Sequence, residues 1–268
     1  MPEVAALQSH LSSLGRVLLG YSGGVDSALL AVAGARGMEP GHFLAVIGRS
    51  ASYPAAQYET ALSIASQFSV PLLEVETGEM EDARYTANPV NRCYFCKSEL
   101  WDVLGRVARE SGFAALIDGT NLDDLGEHRP GLKAATEQHV QSPLADLGWT
   151  KADIRRAARE LGIPIWDAPA SPCLSSRIQY GLAVTPGRLH QVEAGEAFLR
   201  RLGVTGDLRV RHHGDRVRIE ATAPAQEILQ FHLTSIEEFF AALGISRIEI
   251  DPRGYRRGAL LNVLASPA

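Results

Sequence analysis

Three cysteines in 268 residues are too few, and odd in number, for a disulfide scaffold. A chain this long buries most of its apolar surface and needs no such staples. No run of about 18 apolar residues occurs, so no membrane-spanning helix is expected. The segment MPEVAALQSHLSSLGRVLLG lacks a charged start followed by an apolar stretch; it does not read as a signal peptide, and the expected compartment is the cytoplasm. Internal repeats and low-complexity tracts are absent. So is an excess of basic charge. The 26 Lys and Arg stand against 31 Asp and Glu, a net charge of −5, which argues against broad nucleic-acid binding but leaves room for a local basic patch. What is there, 46% hydrophobic and 21% charged residues, describes an ordinary globular protein of one or two domains.

The first two-thirds alternates short apolar runs with helical periodicity. Residues 16–21, 43–48, 72–76 and 114–118 read as strands, and 25–36, 55–68, 97–110 and 151–161 as helices. That alternation predicts an α/β fold, a parallel sheet covered by helices on both faces, with ligands beyond the carboxyl ends of the strands. Between 169 and 186 the pattern breaks on Pro169, Pro172, Gly181 and Pro186. A smaller α+β domain is expected beyond: helix 188–202, strands 208–213 and 216–221, helix 225–243, strands 245–250 and 259–264. The expected domains are 1–180 and 181–268.

Ser22-Gly23-Gly24-Val25-Asp26-Ser27 follows the first strand and opens the first helix. Two glycines admit close approach of a ligand to the backbone, and a helix start supplies unpaired N–H groups and positive dipole. Ser22 and Ser27 add hydroxyls. The result is an anion cradle, distinct from both GxGxxG and the loop ending in GK[ST]. SGGVDS resembles the signature of the PP-loop ATP pyrophosphatases, which split ATP between its α and β phosphates. That resemblance implies pyrophosphate on the loop and Asp26 beside its magnesium ion. A second strand-end segment, Gly119-Thr120-Asn121-Leu122-Asp123-Asp124, reads either as a helix cap or, in a PP-loop protein, as the wall over the nucleotide. Arg129 offers a cation at the site mouth.

Cys93 and Cys96 form a CxxC pair, which three scattered cysteines produce by chance about once in forty-five arrangements. Zinc, an iron–sulfur cluster and a redox dithiol are the candidate meanings. Zinc wants a fourth ligand that no nearby CxxC or histidine pair supplies. Three thiolates, with Cys173, suit a 4Fe–4S cluster with one iron open. Arg177, four residues after Cys173, is placed to favour a thiolate and to hold an anion.

Residues 209–220 read as a hairpin turning at Gly214-Asp215. Alternation puts Arg209, Arg211, His213, Arg216, Arg218 and Glu220 on one face, with Arg211 opposite Arg218. Like charges paired across strands are unfavourable unless an anion lies between them. A solvated face, with Glu220 pairing Arg209, competes with a phosphate site.

SGGVDS, CYFCKSELW, GTNLDDLGEHRPGLKAATE, SPL with a following helix, WDAPASPCLSSRIQYG and RVRHHGDRVRIE together resemble, in order and spacing over about residues 10–265, the LarE family of ATP-dependent sacrificial sulfur transferases. The resemblance implies an enzyme that adenylates a carboxylate of pyridinium-3,5-biscarboxylic acid mononucleotide and converts it to a thiocarboxylate in nickel-pincer nucleotide synthesis. It implies Cys173, Asp26 and Arg177 as catalytic residues. ATP and Mg2+ would bind at Ser22, Gly23, Gly24, Val25, Asp26, Ser27, Gly119, Asn121, Asp124 and Arg129. Substrate phosphate would lie on Arg209, Arg211 and Ser176. Members with one cysteine at the Cys173 position surrender its sulfur; members with all three use a 4Fe–4S cluster, here on Cys93, Cys96 and Cys173. The implied partners are a small-molecule nucleotide, copies of the same chain and, transiently, other enzymes of the cofactor's synthesis, with no nucleic acid and no membrane. A tRNA-thiolating PP-loop enzyme and a non-catalytic nucleotide-binding or cluster-carrying regulator are the rival readings.

Overall fold

The structure, a computed structural model, describes residues 2–126, 130–169 and 172–256. The strand expected at 259–264 and the cation Arg129 lie outside the described residues. In chain order the elements are α1 (Val4–Ser13), β1 (Val17–Gly20), α2 (Val25–Gly37), β2 (Phe43–Arg49), α3 (Ala55–Gln67), β3 (Leu72–Glu76), α4 (Ala83–Thr86), α5 (Arg92–Ser111), β4 (Ala115–Ile117), α6 (Pro130–Glu137), α7 (Pro143–Asp146) and α8 (Lys151–Glu160). There follow α9 (Pro186–Arg201), β5 (Leu208–His212), β6 (Arg216–Ala221), α10 (Ala225–Phe231), α11 (Leu233–Ala242) and β7 (Arg247–Ile250). They form two compact units. The first is Met1–Asp82 with Asn91–Ser171; the second is Ala83–Val90 with the chain from Pro172.

In the first unit the sheet order is β3-β2-β1-β4, every pair parallel. β1 reads Val-Leu-Leu-Gly because helices cover both faces of the sheet. Val17 and Leu19 join Ala45 and Ile47 in a core with Leu7, Leu11, Leu29 and Ala157, drawn from α1, α2 and α8. Leu18 and Val46 point the other way, onto Trp101, Leu104 and Ala108 of α5 and Ala134 and Ala135 of α6. β2 and β3 lie to one side of β1 and β4 to the other. The strand order therefore reverses between β1 and β4, and their carboxyl-end loops flank the crevice where such sheets bind ligands.

α5 begins at Arg92, five residues earlier than the periodicity suggested. Cys93, Tyr94, Phe95 and Cys96 carry weak helix propensity and mask the start. The CxxC pair thus sits in the first turns of a helix, where i,i+3 spacing puts both side chains on one face. α5 ends on Gly112 in the left-handed region, at φ 69°.

The second unit holds a three-stranded sheet, order β5-β6-β7, with β5–β6 antiparallel and β6–β7 parallel. The hairpin register pairs Arg209 with Glu220 and Arg211 with Arg218, as alternation required. Leu199, Val210, Ile219, Leu229, Ile236 and Phe240 form its core. The single helix expected over 225–243 is two, broken at His232, which leaves helical geometry at φ −99°, ψ 16°. Thr234 and Ser235 just beyond it offer little propensity to bridge the break.

Eight residues from the first half of the chain belong to this second unit. Buried Asn88 donates through Nδ2 to the carbonyls of Gln179 and Leu182, each at 2.8 Å, and its own carbonyl accepts the Gly181 N–H at 2.9 Å. Tyr85 Oη and Ser175 Oγ lie 2.6 Å apart. A linear division at residue 180 misses this exchange because it arises from tertiary hydrogen bonds, not composition.

Helix α2 crosses β2 closely at Gly34, where a Cβ would lie 2.4 Å from the Phe43 ring. Gly34→Ala gains roughly 1 kcal/mol of helix propensity. Overpacking is expected to outweigh it, for a net loss of about 1–2 kcal/mol in urea unfolding. Phe43→Leu in the same chain should recover part of the loss. A single variant as stable as the parent would refute the packing argument.

Candidate active site

The phosphate loop is built by β1 and α2. Gly24 is the N-cap residue of α2, in extended geometry at φ −79°, ψ 162°. Ser27 Oγ donates to the Gly24 carbonyl at 3.0 Å and lies 3.2 Å from Ser22 Oγ, closing the loop on itself. Gly23 sits at φ 70°, and a Cβ there would come 2.7 Å from Ala61 Cβ. Only glycine fits both constraints. Val25 is buried in the core and anchors the start of α2. The first N–H groups of that helix are left for a ligand.

Asp26, in the first turn of α2, is the meeting point of three segments. Lys151 Nζ donates to both carboxylate oxygens, at 2.5 and 2.7 Å. Asn121 Nδ2 donates to Oδ1 at 3.2 Å. Gly119 passes so near that a Cβ would be 3.2 Å from Asp26 Cβ. Asp124 accepts the Asn121 N–H at 3.2 Å and completes a capping box on the turn Leu122–Asp124. The segment is thus a capped turn, and its Asn121 also reaches the phosphate-loop carboxylate. Lys151 is a site residue that the sequence reading used only as a helix start. The signal for it was the capping box Thr150–Asp153, which fixes residue 151 as the first residue of α8.

Cys93 is exposed and Cys96 partly buried, both in the first unit; Cys173, partly buried, belongs to the second. The donor set and helical spacing of the pair fit two ligands of an iron–sulfur cluster, and Cys173 would be a third. Within neither unit do three or more His, Cys, Asp or Glu side chains gather as a metal-holding group among the described residues.

Cys173 is the N-cap residue of the 3-10 turn Leu174–Arg177. The Arg177 guanidinium is buried and grips Glu196 through two nitrogens, at 3.0 and 3.2 Å. Its Nη1 donates to the carbonyls of Pro172 and Cys173. Ser176 Oγ also donates to the Cys173 carbonyl, at 2.7 Å. Arg177 and Ser176 thus fix the backbone of the cysteine.

Apart from Arg216 at its exposed rim, the hairpin's arginine face is buried or half-buried, not solvated. Arg209 and Arg211 are 5% and 6% exposed and Glu220 is fully buried. Glu220 pairs with Arg211 at 2.9 Å, not with Arg209, and Arg211 Nη1 also donates to the Ser176 carbonyl at 3.0 Å. Arg218 lies 3.5 Å from Glu220 and 3.8 Å from Asp251. The anion that the Arg211–Arg218 pairing demanded is thus partly supplied by the protein's own carboxylates. Arg209 lies over the Tyr255 ring at 5.1 Å, and burial, then the Arg177 charge, lower its ionisation below the usual arginine range.

His212 Nδ1 accepts the Gly214 N–H at 3.2 Å, so its Nε2–H donates to Gln191 Oε1 at 2.9 Å. That bonding requires a neutral ring. Burial, aided by Arg188, pulls its pKa down to about 4. Burial, followed by Arg218 and Arg216, does the same for His213, again to about 4.

The parallel sheet with a strand–SGGVDS–helix loop at its switch point defines a nucleotide-binding domain of the PP-loop class. The NAD synthase family model matches residues 4–91. An uncharacterised protein of Synechocystis is 41% identical over 96% of each chain. The pyridinium-3,5-bisthiocarboxylic acid mononucleotide synthase of Lactiplantibacillus plantarum is 31% identical over 97% of this chain and 94% of its own. An uncharacterised protein of Methanocaldococcus jannaschii is 29% identical over 90% of this chain and 91% of its own. The chain belongs to the LarE family of PP-loop sulfur transferases, ATP-dependent enzymes. Among the described residues no helix is long and apolar enough to cross a membrane.

Two outcomes follow from the second unit. Arg211→Met leaves the buried Glu220 carboxylate with only the longer Arg218 contact and is expected to cost about 3 kcal/mol, against little for Arg216→Met on the exposed rim. Equal stability of the two variants in denaturant titration would contradict the pairing. The histidines set a pH window. Their folded pKa of about 4 lies below the unfolded value of 6.5. The unfolded chain therefore binds more protons between these values, and the stability they confer, complete above pH 6.5, is lost as pH falls towards 4. His212→Gln should flatten the fall in melting temperature across that window; an unchanged slope would refute it.

Proposed function

We propose that the chain adenylates a carboxylate of pyridinium-3,5-biscarboxylic acid mononucleotide with ATP and converts the acyl adenylate to a thiocarboxylate, a step towards a nickel-pincer nucleotide cofactor. The observation that carries this reading is the anion cradle of Ser22–Ser27 with Asp26 inside it. The likeness to a relative named for the bisthiocarboxylic product supports it.

In the first step a substrate carboxylate oxygen attacks the α-phosphorus of ATP, and the bond to the leaving pyrophosphate breaks. The loop N–H groups and the α2 dipole bind the departing charge. Asp26 would hold the magnesium that travels with pyrophosphate, exchanging it for Lys151, whose ammonium then turns to phosphate. In the second step a sulfur nucleophile attacks the acyl carbon and AMP leaves, so the bond lost to adenylate is replaced by one to sulfur. Cys93, Cys96 and Cys173 would hold a 4Fe–4S cluster, which when bound supplies sulfide at its open iron. Arg177 positions Cys173 through its backbone. Arg209 and Arg211 would bind the substrate phosphate, with Ser176 beside them. On this reading the first unit activates the carboxylate. The second holds substrate and joins copies of the chain in a cytoplasmic homo-oligomer that meets other enzymes of the same synthesis transiently.

A second reading makes Cys173 alone the sulfur donor. It is favoured by the bonds of Arg177 and Ser176 to the Cys173 carbonyl, which hold that one cysteine in place.

Asp26→Asn should abolish formation of AMP and pyrophosphate while leaving the fold intact by circular dichroism; normal adenylation would sink the loop assignment. Anaerobically purified protein should contain iron and sulfide, and replacing Cys93, Cys96 or Cys173 should remove the cluster and multiple turnover together. If Cys93→Ala and Cys96→Ala remain active while Cys173 loses the mass of hydrogen sulfide in one turnover, the second reading replaces the first.

A further inference from the structure

We infer that Tyr53 and Gln57 are positioning residues which, by holding the Ser22 carbonyl from behind, aim the Gly23 N–H into the phosphate cradle. The inference rests on the reading of Ser22–Ser27 as a cradle for the pyrophosphate end of a nucleotide, and it adds the device that keeps the cradle's donors facing inward.

The Ser22 carbonyl accepts two hydrogen bonds, from Tyr53 Oη at 3.0 Å and from Gln57 Nε2 at 2.5 Å. In a trans peptide the C=O and the N–H of the next residue point in opposite directions. Fixing the Ser22 oxygen against Tyr53 and Gln57 therefore turns the Gly23 N–H to the other side. A peptide preceding a glycine turns over easily, because glycine tolerates φ of either sign. Were this one reversed, a carbonyl oxygen would face the phosphate, and the cradle would repel what it is meant to hold.

The clamp is itself held in place. Gln57 and Ala61 are one turn apart on α3, so both face the loop, and Ala61 is the atom that a Cβ at Gly23 would strike. Gln57 Oε1 is buried without a hydrogen-bond partner among the described residues. Burying that oxygen unpaired is unfavourable, and the Ser22 bond is what the amide gains in return. Tyr53 is fixed from the opposite end. Its N–H donates to the Ser50 carbonyl at 3.1 Å, Ser50 Oγ lies 2.9 Å from Ser52 Oγ, and Ser52 Oγ donates to Glu79 Oε1 at 3.2 Å. Ser52 and Glu79 are 3% and 2% exposed. This chain of bonds runs from the end of β3 to the phosphate loop. Burial, then the neighbouring Tyr58, raises the ionisation of the Tyr53 phenol, so it remains a donor at neutral pH. Neither residue needs to touch the nucleotide.

The test is binding of magnesium pyrophosphate to the full-length protein by calorimetry, with adenosine as a second probe that carries no phosphate. Tyr53→Phe keeps the ring and removes one donor; Gln57→Met keeps the length and removes the other. Each should weaken pyrophosphate binding by about threefold or more, and the pair by about tenfold or more, on the usual worth of single hydrogen bonds. Adenosine affinity should stay the same. An unaltered pyrophosphate affinity in folded variants overturns the clamp. So does an equal loss for both probes, which is what a merely structural role produces. Wild-type protein that fails to bind magnesium pyrophosphate at all overturns the cradle reading itself. Tyr53→Phe, the milder change, decides the matter if the Gln57 variants do not fold.

Discussion

One carboxylate organises the carboxyl edge of the first unit. Asp26 stands in the first turn of α2, where the helix dipole favours negative charge, and α8 and the loop after β4 both reach it through Lys151 and Asn121. The Asp26–Lys151 pair is 23% and 38% exposed, so it contributes on the order of 1 kcal/mol or less to stability. Its geometry is nonetheless tight, and Gly119 gives up a side chain to let the β4 loop pass beside it. So ordered an arrangement contributes little stability; what it fixes is position, with the Lys151 ammonium and the Asp26 carboxylate held together at the first turn of α2.

The second unit spends its polar groups differently. Arg177 with Glu196, Arg211 with Glu220, and Arg218 with Asp251 remove cations and carboxylates from water together. Such pairs seldom stabilise a fold beyond what apolar residues of the same volume would, although breaking one is costly. Their value here is geometric. Glu196 Oε1 accepts both the Arg177 Nε–H and the Val210 N–H at 3.1 Å. One carboxylate thereby ties the turn that begins at Cys173 to the strand that carries Arg209 and Arg211.

Much of this was legible in the sequence, and the reason is periodicity. Strands β1, β2 and β4 are apolar on both faces, as a parallel sheet between helix layers demands, and SGGVDS stands where such a sheet binds ligands. The hairpin register also follows from alternation alone, since a two-residue turn at Gly214-Asp215 forces Arg211 onto Arg218. What the sequence hid was set by tertiary contact. Residues 83–90 join the second unit through the side chain of Asn88, a bond across 91 positions that no local pattern encodes. A solvated strand stayed open as one reading of the arginine face because charge in a sequence implies water, and nothing local announces that Glu220 and Asp251 will be buried beside it. Lys151 was lost for a similar reason, since one lysine at a helix start looks like any other until its partner is known.

The cysteine pair and the phosphate loop are linked through the core of a single unit. α5 lies between β3 and β4 in sequence, so as a crossover helix it runs against the strands and its first turns, carrying Cys93 and Cys96, lie at their carboxyl edge. Two turns further along, Trp101 packs where Gly20 ends β1; a Cβ on that glycine would lie 2.7 Å from the indole. Gly20 leads directly into Tyr21 and Ser22. Any displacement of the cysteine-bearing turns along the axis of α5 must therefore be resisted by the same close contact that seats the phosphate loop. One glycine under one tryptophan thus holds the cysteine-bearing turns and the phosphate loop at a fixed separation without a loop in the path.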